Sequence, residues 1–262
     1  MRFKQLLIVC AAFCLPYSVM AWGMQGHRIV AQIADTYLTP KAKMEIKKIL
    51  GDRTLAIESN WPDFIKSDTS YNYLSAWHYA DLEPNWTEAQ VNNYFKADTA
   101  VDAYTKLNFL IKELKNKNLP KEKQLMYLRL LVHIIGDVHQ PMHVSHSEDL
   151  GGNKIKVTWF NEPSNLHRVW DESLINYQQL SYTEYANVIN HPTAAQKSAW
   201  AKTPMVTWFY ESYSISEKLY AEITKPDQKL SYRYNFDHID TVNEQLLKGG
   251  IRLAEVLNTI FG

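Results

Sequence analysis

The stretch from Lys123 to Val138 is apolar on nearly every side, and it constrains the fold more than any other part of the chain. A helix with no polar face belongs in the centre of a packed core, with further helices around it. Yet Leu131-Val132-His133-Ile134-Ile135-Gly136-Asp137 puts a histidine and an aspartate on that helix, four residues apart and so on one face. An ionised carboxylate there is costly unless it is paired or held by a cation. The core has to be built around a buried polar couple.

Helical periodicity recurs on both sides of this segment. Val30, Ile33, Ala34, Tyr37 and Leu38 fall at helical spacing, Thr39-Pro40 opens a second helix, and Gly51 ends it. Asp98 to Leu114 repeats the pattern through Val101, Tyr104, Leu107 and Ile111, and Thr203 to Tyr220 and Asp240 to Ile260 read as two more helices. Only Lys154 to Phe160, after Gly151-Gly152, alternates as a strand does, which predicts one short β-hairpin. With 262 residues, 46% hydrophobic, and no linker or repeat, the chain is expected to be an all-α, mainly helical single domain with that one hairpin.

The first residues are expected not to belong to the domain. Arg2 and Lys4 precede an apolar run from Leu6 to Leu15, and Val19-Met20-Ala21 offers the small residues that a signal peptidase reads. Residues 1–21 are thus expected to be a signal peptide and residues 22–262 the functional domain, secreted or periplasmic and starting at Trp22. A membrane anchor would need about 20 apolar residues, and here the run meets Pro16. Both cysteines, Cys10 and Cys14, lie in the leader, so the mature chain has neither disulfide nor thiolate ligand. That favours a bacterial exterior or periplasm over a eukaryotic secretory route, although the sequon Asn85-Trp86-Thr87 weakly points the other way.

The chemistry-bearing residues are histidines and aspartates. The spacing of His133 and Asp137 recurs at His167 and Asp171, and His143 lies between the pairs in Gln140-Pro141-Met142-His143. One His-Asp pair is more often a hydrogen-bonded structural couple than a metal site. Two pairs with an intervening histidine reverse that balance, and imidazole with carboxylate but no sulfur suits zinc, or another borderline divalent ion, in an open catalytic site.

Four blocks, in this order, resemble the S1/P1 nuclease family, whose members are secreted zinc-dependent enzymes acting on single-stranded DNA and RNA. They are Trp22-Gly23-Met24-Gln25-Gly26-His27, Gly136 to His143, Gly151-Gly152-Asn153-Lys154, and Asn165-Leu166-His167 to Asp171. The resemblance implies three zinc ions. One would be held by Asp63, His78, His133 and Asp137; a second by the amino group and carbonyl of Trp22, with His27 and a bridging Asp137; the third by His143, His167 and Asp171. It also implies a zinc-dependent hydrolase releasing 5′-phosphorylated products, admits 3′-nucleotidase activity, and gives Asn153 and Lys66 the task of stabilising the phosphate beside Asp63. Tyr79 would stack on an unpaired base, Asp81 would hydrogen-bond its edge, and Leu150 would pack on its other side. His139, His146, His191 and His238 match no ligand position and read as structural.

Two rivals remain open. A zinc-dependent phospholipase C shares the helical fold and a similar Gly-Asp-x-x-Gln-Pro-Met-His block; the short Trp22 to His27 spacing, Gly152-Asn153 and Asp81 favour the nuclease. A non-catalytic periplasmic zinc-binding protein would use closed coordination rather than a bridging carboxylate. The 28 basic and 28 acidic residues balance, so overall charge does not point to nucleic acid, and losing Arg2 and Lys4 leaves the mature chain slightly acidic. The attraction for phosphate would be local, from the ions. Neither stable membrane association nor an obligate protein partner is expected.

Overall fold

The computed structural model describes residues 22–262, so the leader and both cysteines lie outside the described residues. Along the chain, α1 (Met24–Tyr37) and α2 (Pro40–Leu50) lead into the short α3 (Leu55–Glu58) and α4 (Trp61–Phe64). Two 3-10 segments, Ile65–Ser67 and Thr69–His78, run into β1 (Ala80–Leu82), and α5 (Glu88–Ala97), α6 (Ala103–Leu114) and α7 (Lys121–Asp137) follow. After a 3-10 turn at Pro141–His143 come β2 (Val144–His146), β3 (Lys156–Trp159) and β4 (Glu162–Asn165). Then α8 (Leu166–Arg168) passes through a π-helical turn, Val169–Ser173, into α9 (Leu174–Tyr177). The chain closes with α10 (Tyr182–Ile189), α11 (Ala194–Lys202), α12 (Met205–Glu222), β5 (Gln228–Leu230) and α13 (Tyr232–Phe261).

The all-α expectation holds, with α7 at the centre. It packs against α1, α6 and α13, and every residue from Leu130 to Asp137 is buried. Helices α1 and α13 approach closely because Gly250 has no side chain: a Cβ there would lie 2.4 Å from Ile33 Cγ2. The expected start of α2 is present, Thr39 accepting from the Ala42 amide at 3.1 Å, and Gly51 ends it at φ 66°.

Three expectations change. The predicted helix from Asp98 to Leu114 begins at Ala103, because Asp102 caps it by accepting from the Thr105 amide at 2.9 Å. Val101, counted toward the apolar face, lies before the cap and is 55% exposed. The last helix starts at Tyr232 rather than Asp240, since its buried face continues through Tyr234 and His238, which an apolar count passes over. The predicted hairpin forms, with Trp159 opposite Glu162, but β5 adds to it in parallel, and β1 pairs in parallel with β2. Strands of three residues are too short to show periodicity. The β1–β2 pairing matters for function, because it sets Asp81 beside Ser145 and so lays the Tyr79 segment along the His143 segment.

Candidate metal centre

Four separate elements deliver the first constellation. His27 comes from α1, Asp63 from α4, His78 from the end of the 3-10 segment, and His133 and Asp137 from α7. His133 Nε2 lies 3.0 Å from His78 Nδ1, 3.3 Å from Asp137 Oδ2 and 3.8 Å from Asp63 Oδ1. Asp137 is shared: its Oδ2 is 3.0 Å from His78 Nδ1 and its Oδ1 is 3.3 Å from His27 Nε2. The His27 and His133 rings stack at 3.8 Å. All five side chains are nine-tenths buried or more.

The second constellation joins the turn after α7 to the π-helical turn. His143 Nε2 is 3.6 Å and His167 Nε2 3.0 Å from the carboxylate of Asp171. A π turn is frequent at functional sites, and here it carries Asp171 itself.

Backbone carbonyls fix the ring orientations. His133 Nδ1 donates to Ser59 O at 2.6 Å, His143 Nδ1 to His78 O at 2.7 Å, and His167 Nδ1 to Gly151 O at 2.6 Å. In each ring the proton on Nδ1 leaves the Nε2 lone pair facing the cluster, which is the tautomer that a metal ligand needs. Burial holds the imidazoles of His27 and His78 well below the ordinary histidine range. Burial also takes His133 down to about 4, against the opposing pull of Asp63. Burial and the neighbouring Asp63 push Asp137 well above the carboxylate range. Asp171 is held at about 2, since His167 and His143 outweigh the effect of its burial.

Both constellations have the chemistry of divalent-ion sites. Among the described residues, His27 Nδ1 and Nε2, Asp63 Oδ2, His78 Nε2, Asp137 Oδ1 and His143 Nε2 are buried without hydrogen-bond partners. An unsatisfied buried polar atom costs about 1–3 kcal/mol, and those that face one another across the clusters, such as His27 Nε2 and Asp137 Oδ1 at 3.3 Å, fit an ion. The donor atoms fall into three groups: His27, Asp63 and His133; His78, His133 and Asp137; His143, His167 and Asp171. All eight side chains expected as ligands are brought together in them. Trp22 is fully buried, and the Gly23 amide beside it donates to Asp171 O at 2.9 Å, so this segment is tied to the second constellation. A Cβ on Gly136 would lie 2.8 Å from His27 Nδ1, so His27 packs on bare backbone of α7.

A small cleft opens beside the second constellation. Tyr79, Asp81, Met142, His143, Leu150, Gly151 and His167 line it, so the three residues expected to hold a base share one cleft with two of the expected ligands. Burial and the nearby Asp149 raise the Asp81 carboxyl. Leu150, 55% exposed, takes φ 59°, and Gly151 and Gly152 follow at 62° and 78°. The glycines are also needed for space: a Cβ on Gly151 would sit 2.4 Å from Met142 O. Asn153 lies on the same loop, outside the cleft lining, with its amide donating to Leu150 O at 2.8 Å. Lys66 stands by the first constellation, its ammonium 2.6 Å from Asp63 Oδ1.

The remaining histidines have structural surroundings. His139 accepts from Arg252 at 3.0 Å, His146 pairs with Glu217 and stacks on Tyr220, His238 is 2.8 Å from Glu222, and His191 is exposed. Sequence reasoning missed Gln140 and Asp149. Gln140 donates to Asp171; Asp149 accepts from Gly152 N at 2.6 Å and from Tyr220 at 2.8 Å, pinning the glycine loop. Gln140 lies inside a block that was read for its ligands only, and nothing local marks Asp149.

A family model described as S1/P1 nuclease matches residues 22–262. Endonuclease 3 of Arabidopsis thaliana is 32% identical over 92% of this chain and 90% of its own length. Nuclease P1 of Penicillium citrinum is 29% identical over 92% of this chain and 98% of its own. For Nuclease S1 of Aspergillus oryzae the figures are 27%, 98% and 98%. Matched along its whole described length, this chain belongs to the S1/P1 nuclease family and is, by that membership, a phosphodiester-hydrolysing enzyme.

Proposed function

We propose that the chain is a secreted zinc-dependent nuclease that cleaves single-stranded DNA and RNA to 5′-phosphorylated products, using three zinc ions and with 3′-nucleotidase activity as a second reaction. The observation that carries this reading is the set of orphaned donor atoms buried next to a cleft with an aromatic and an acidic wall. Asp63, His78, His133 and Asp137 would hold one ion, His27 with Asp137 and the Trp22 terminus a second, and His143, His167 and Asp171 a third. Such ions supply Lewis acidity, lowering the pKa of bound water toward 7 and offsetting charge on phosphoryl oxygens.

The chain's own residues bind and orient. Tyr79 offers its ring to a base that can leave its neighbours, Leu150 packs on the other face, and Asp81 accepts from donors on the base edge. A paired base cannot enter without unstacking, which supports the single-strand preference. The Lys66 ammonium and the Asn153 amide would meet the phosphate as its charge spreads. Signal cleavage after Ala21 would free the Trp22 amino group, whose unperturbed pKa near 8 suits metal binding.

The test is zinc content of the correctly processed protein together with release of nucleotide from single-stranded DNA and RNA, before and after chelation, with lecithin hydrolysis in parallel. Three zincs and chelator-sensitive 5′-nucleotide release are expected. Lecithin cleavage without nucleotide release would overturn the proposal in favour of a phospholipase, and zinc without either activity would leave a binding protein.

A further inference from the structure

The run from Glu58 to Asp63 carries one expected ligand and the carbonyl that orients another, yet nothing local holds it in shape. Helices α3 and α4 are four residues each, and single turns are not stable by themselves. Their geometry is therefore imposed from outside. Ser59 O accepts from His133 Nδ1 at 2.6 Å, the Asn60 side-chain amide donates to Met24 O at 3.2 Å, and Asp63 Oδ1 lies 3.8 Å from His133 Nε2.

One side chain of α7 grips this run at two points. Arg129 stands one helical turn before His133, on the same face. Its Nε donates to the carboxylate of Glu58, which is buried and costly there without a partner. Its guanidinium lies 5.0 Å over the Trp61 ring. Arg53 also meets Glu58, at 3.1 Å, but its side chain is 65% exposed, and a contact of that kind contributes little. Arg129, at 11%, is the buried partner. Glu58 and Trp61 bracket Ser59 and Asn60, both fully buried. Guanidinium suits the double grip, since it donates in its plane while its face covers a ring, which an ammonium cannot do at once. Arg129 belongs to none of the donor groups and lines no part of the cleft, so its effect passes through the residues it holds.

We propose that Arg129 is a positioning residue for the first constellation. By clasping Glu58 and Trp61 together it sets Ser59 O against His133 Nδ1 and aims Asp63 at the donor atoms of α7, and so sets the affinity of that constellation for its ions. The proposal rests on the zinc nuclease reading and adds to it an outer clasp specific to one of the two constellations, since the second is held by Gln140 and the glycine loop instead.

The test uses Arg129→Lys in the intact enzyme, a change that leaves Glu58 facing a cation but removes the in-plane bond and the cover on Trp61. Three quantities are measured: zinc affinity by competition with a chelator, kcat and KM on single-stranded DNA, and exchange of the His133 Nδ1 proton with solvent by NMR of histidine-labelled protein. Zinc in the first constellation is expected to bind about 10- to 100-fold more weakly, with the third ion unaffected. In parallel, kcat should fall about tenfold at nearly constant KM, and the His133 proton should exchange faster. Unchanged zinc affinity would overturn the proposal, and so would an equal weakening of all three ions, which marks general loosening. If Arg129→Lys does not fold, Trp61→Leu decides, because it spares the ion pair; zinc affinity equal to the parent's would overturn the proposal there too. A parent that holds zinc but cleaves no nucleic acid would defeat the nuclease reading, yet the affinity comparison would still decide the role of Arg129. In a parent without zinc the exchange rate of the His133 proton would decide it, an unchanged rate overturning the proposal.

Discussion

Gln140, fully buried, donates its side-chain amide to the carboxylate of Asp171, thirty-one positions away, while its own carbonyl accepts from Met142 N at 2.5 Å. One side chain therefore ties the turn after α7 to the π-helical turn. It stabilises the single orientation in which Asp171 faces both His143 and His167. Outer partners of this sort are worth about 10- to 100-fold in metal affinity. Gln140→Glu is expected to weaken the third group by that factor, because a carboxylate replaces the donor. Zinc content after dialysis against a weak chelator should fall by one ion, with helical content unchanged. A full zinc complement in the variant would show that Asp171 needs no such partner.

Gly136 gives a case in which helix stability and site geometry oppose each other. Alanine is favoured over glycine within a helix by about 1 kcal/mol. Its Cβ, however, would lie 2.8 Å from His27 Nδ1, well inside van der Waals contact. Gly136→Ala is expected to keep the fold and displace His27, at a cost of about 10²-fold in kcat, as for a misplacement near 1 Å. Comparison of melting temperature with turnover checks this; equal losses in both would point to general disruption.

The sequence revealed the clustered histidines and aspartates better than it revealed their supports. His133 and Asp137 could be read because a charged couple on an apolar helix has no other cheap explanation, and His167 and Asp171 repeat the spacing. Asp63, His78 and Trp22 were reached only through family resemblance, since each alone also reads as a cap, a core aromatic neighbour or a chain end. Ser59 O, Gly151 O and Asp149 were beyond reach, because any residue can offer a carbonyl and the contacts span long separations. The β1–β2 pairing, which aligns Tyr79 with His143, is equally non-local. The misplaced start at Asp98 shows a cap prevailing over periodicity.

Tyr79 is half-buried at the mouth of the cleft, and its backbone carbonyl accepts from Ala103 N at 2.9 Å. Stacking is worth about 1–3 kcal/mol per base. Tyr79→Ala is thus expected to lower kcat/KM on single-stranded substrate by roughly five- to 150-fold, and Tyr79→Phe by little. Equal activity of all three forms would remove the ring from base binding.

Asp102 links the same region to pH. It caps α6, next to the Ala103 amide that holds Tyr79. Burial raises its carboxyl to about 7, with Asp98 acting in the same direction and the Thr105 amide opposing. A carboxyl raised on folding stabilises the native state fully below its unfolded value near 4, and that contribution is lost as pH climbs through 7. Asp102→Asn keeps the cap but cannot ionise. Its melting temperature relative to the parent should therefore rise between about pH 4 and pH 7 and level off above that, the variant being the more stable at the alkaline end. Thr105 should keep its capping bond throughout. Melting curves at matched ionic strength measure the difference, and a gap that does not change with pH would mean that Asp102 titrates as an ordinary carboxylate.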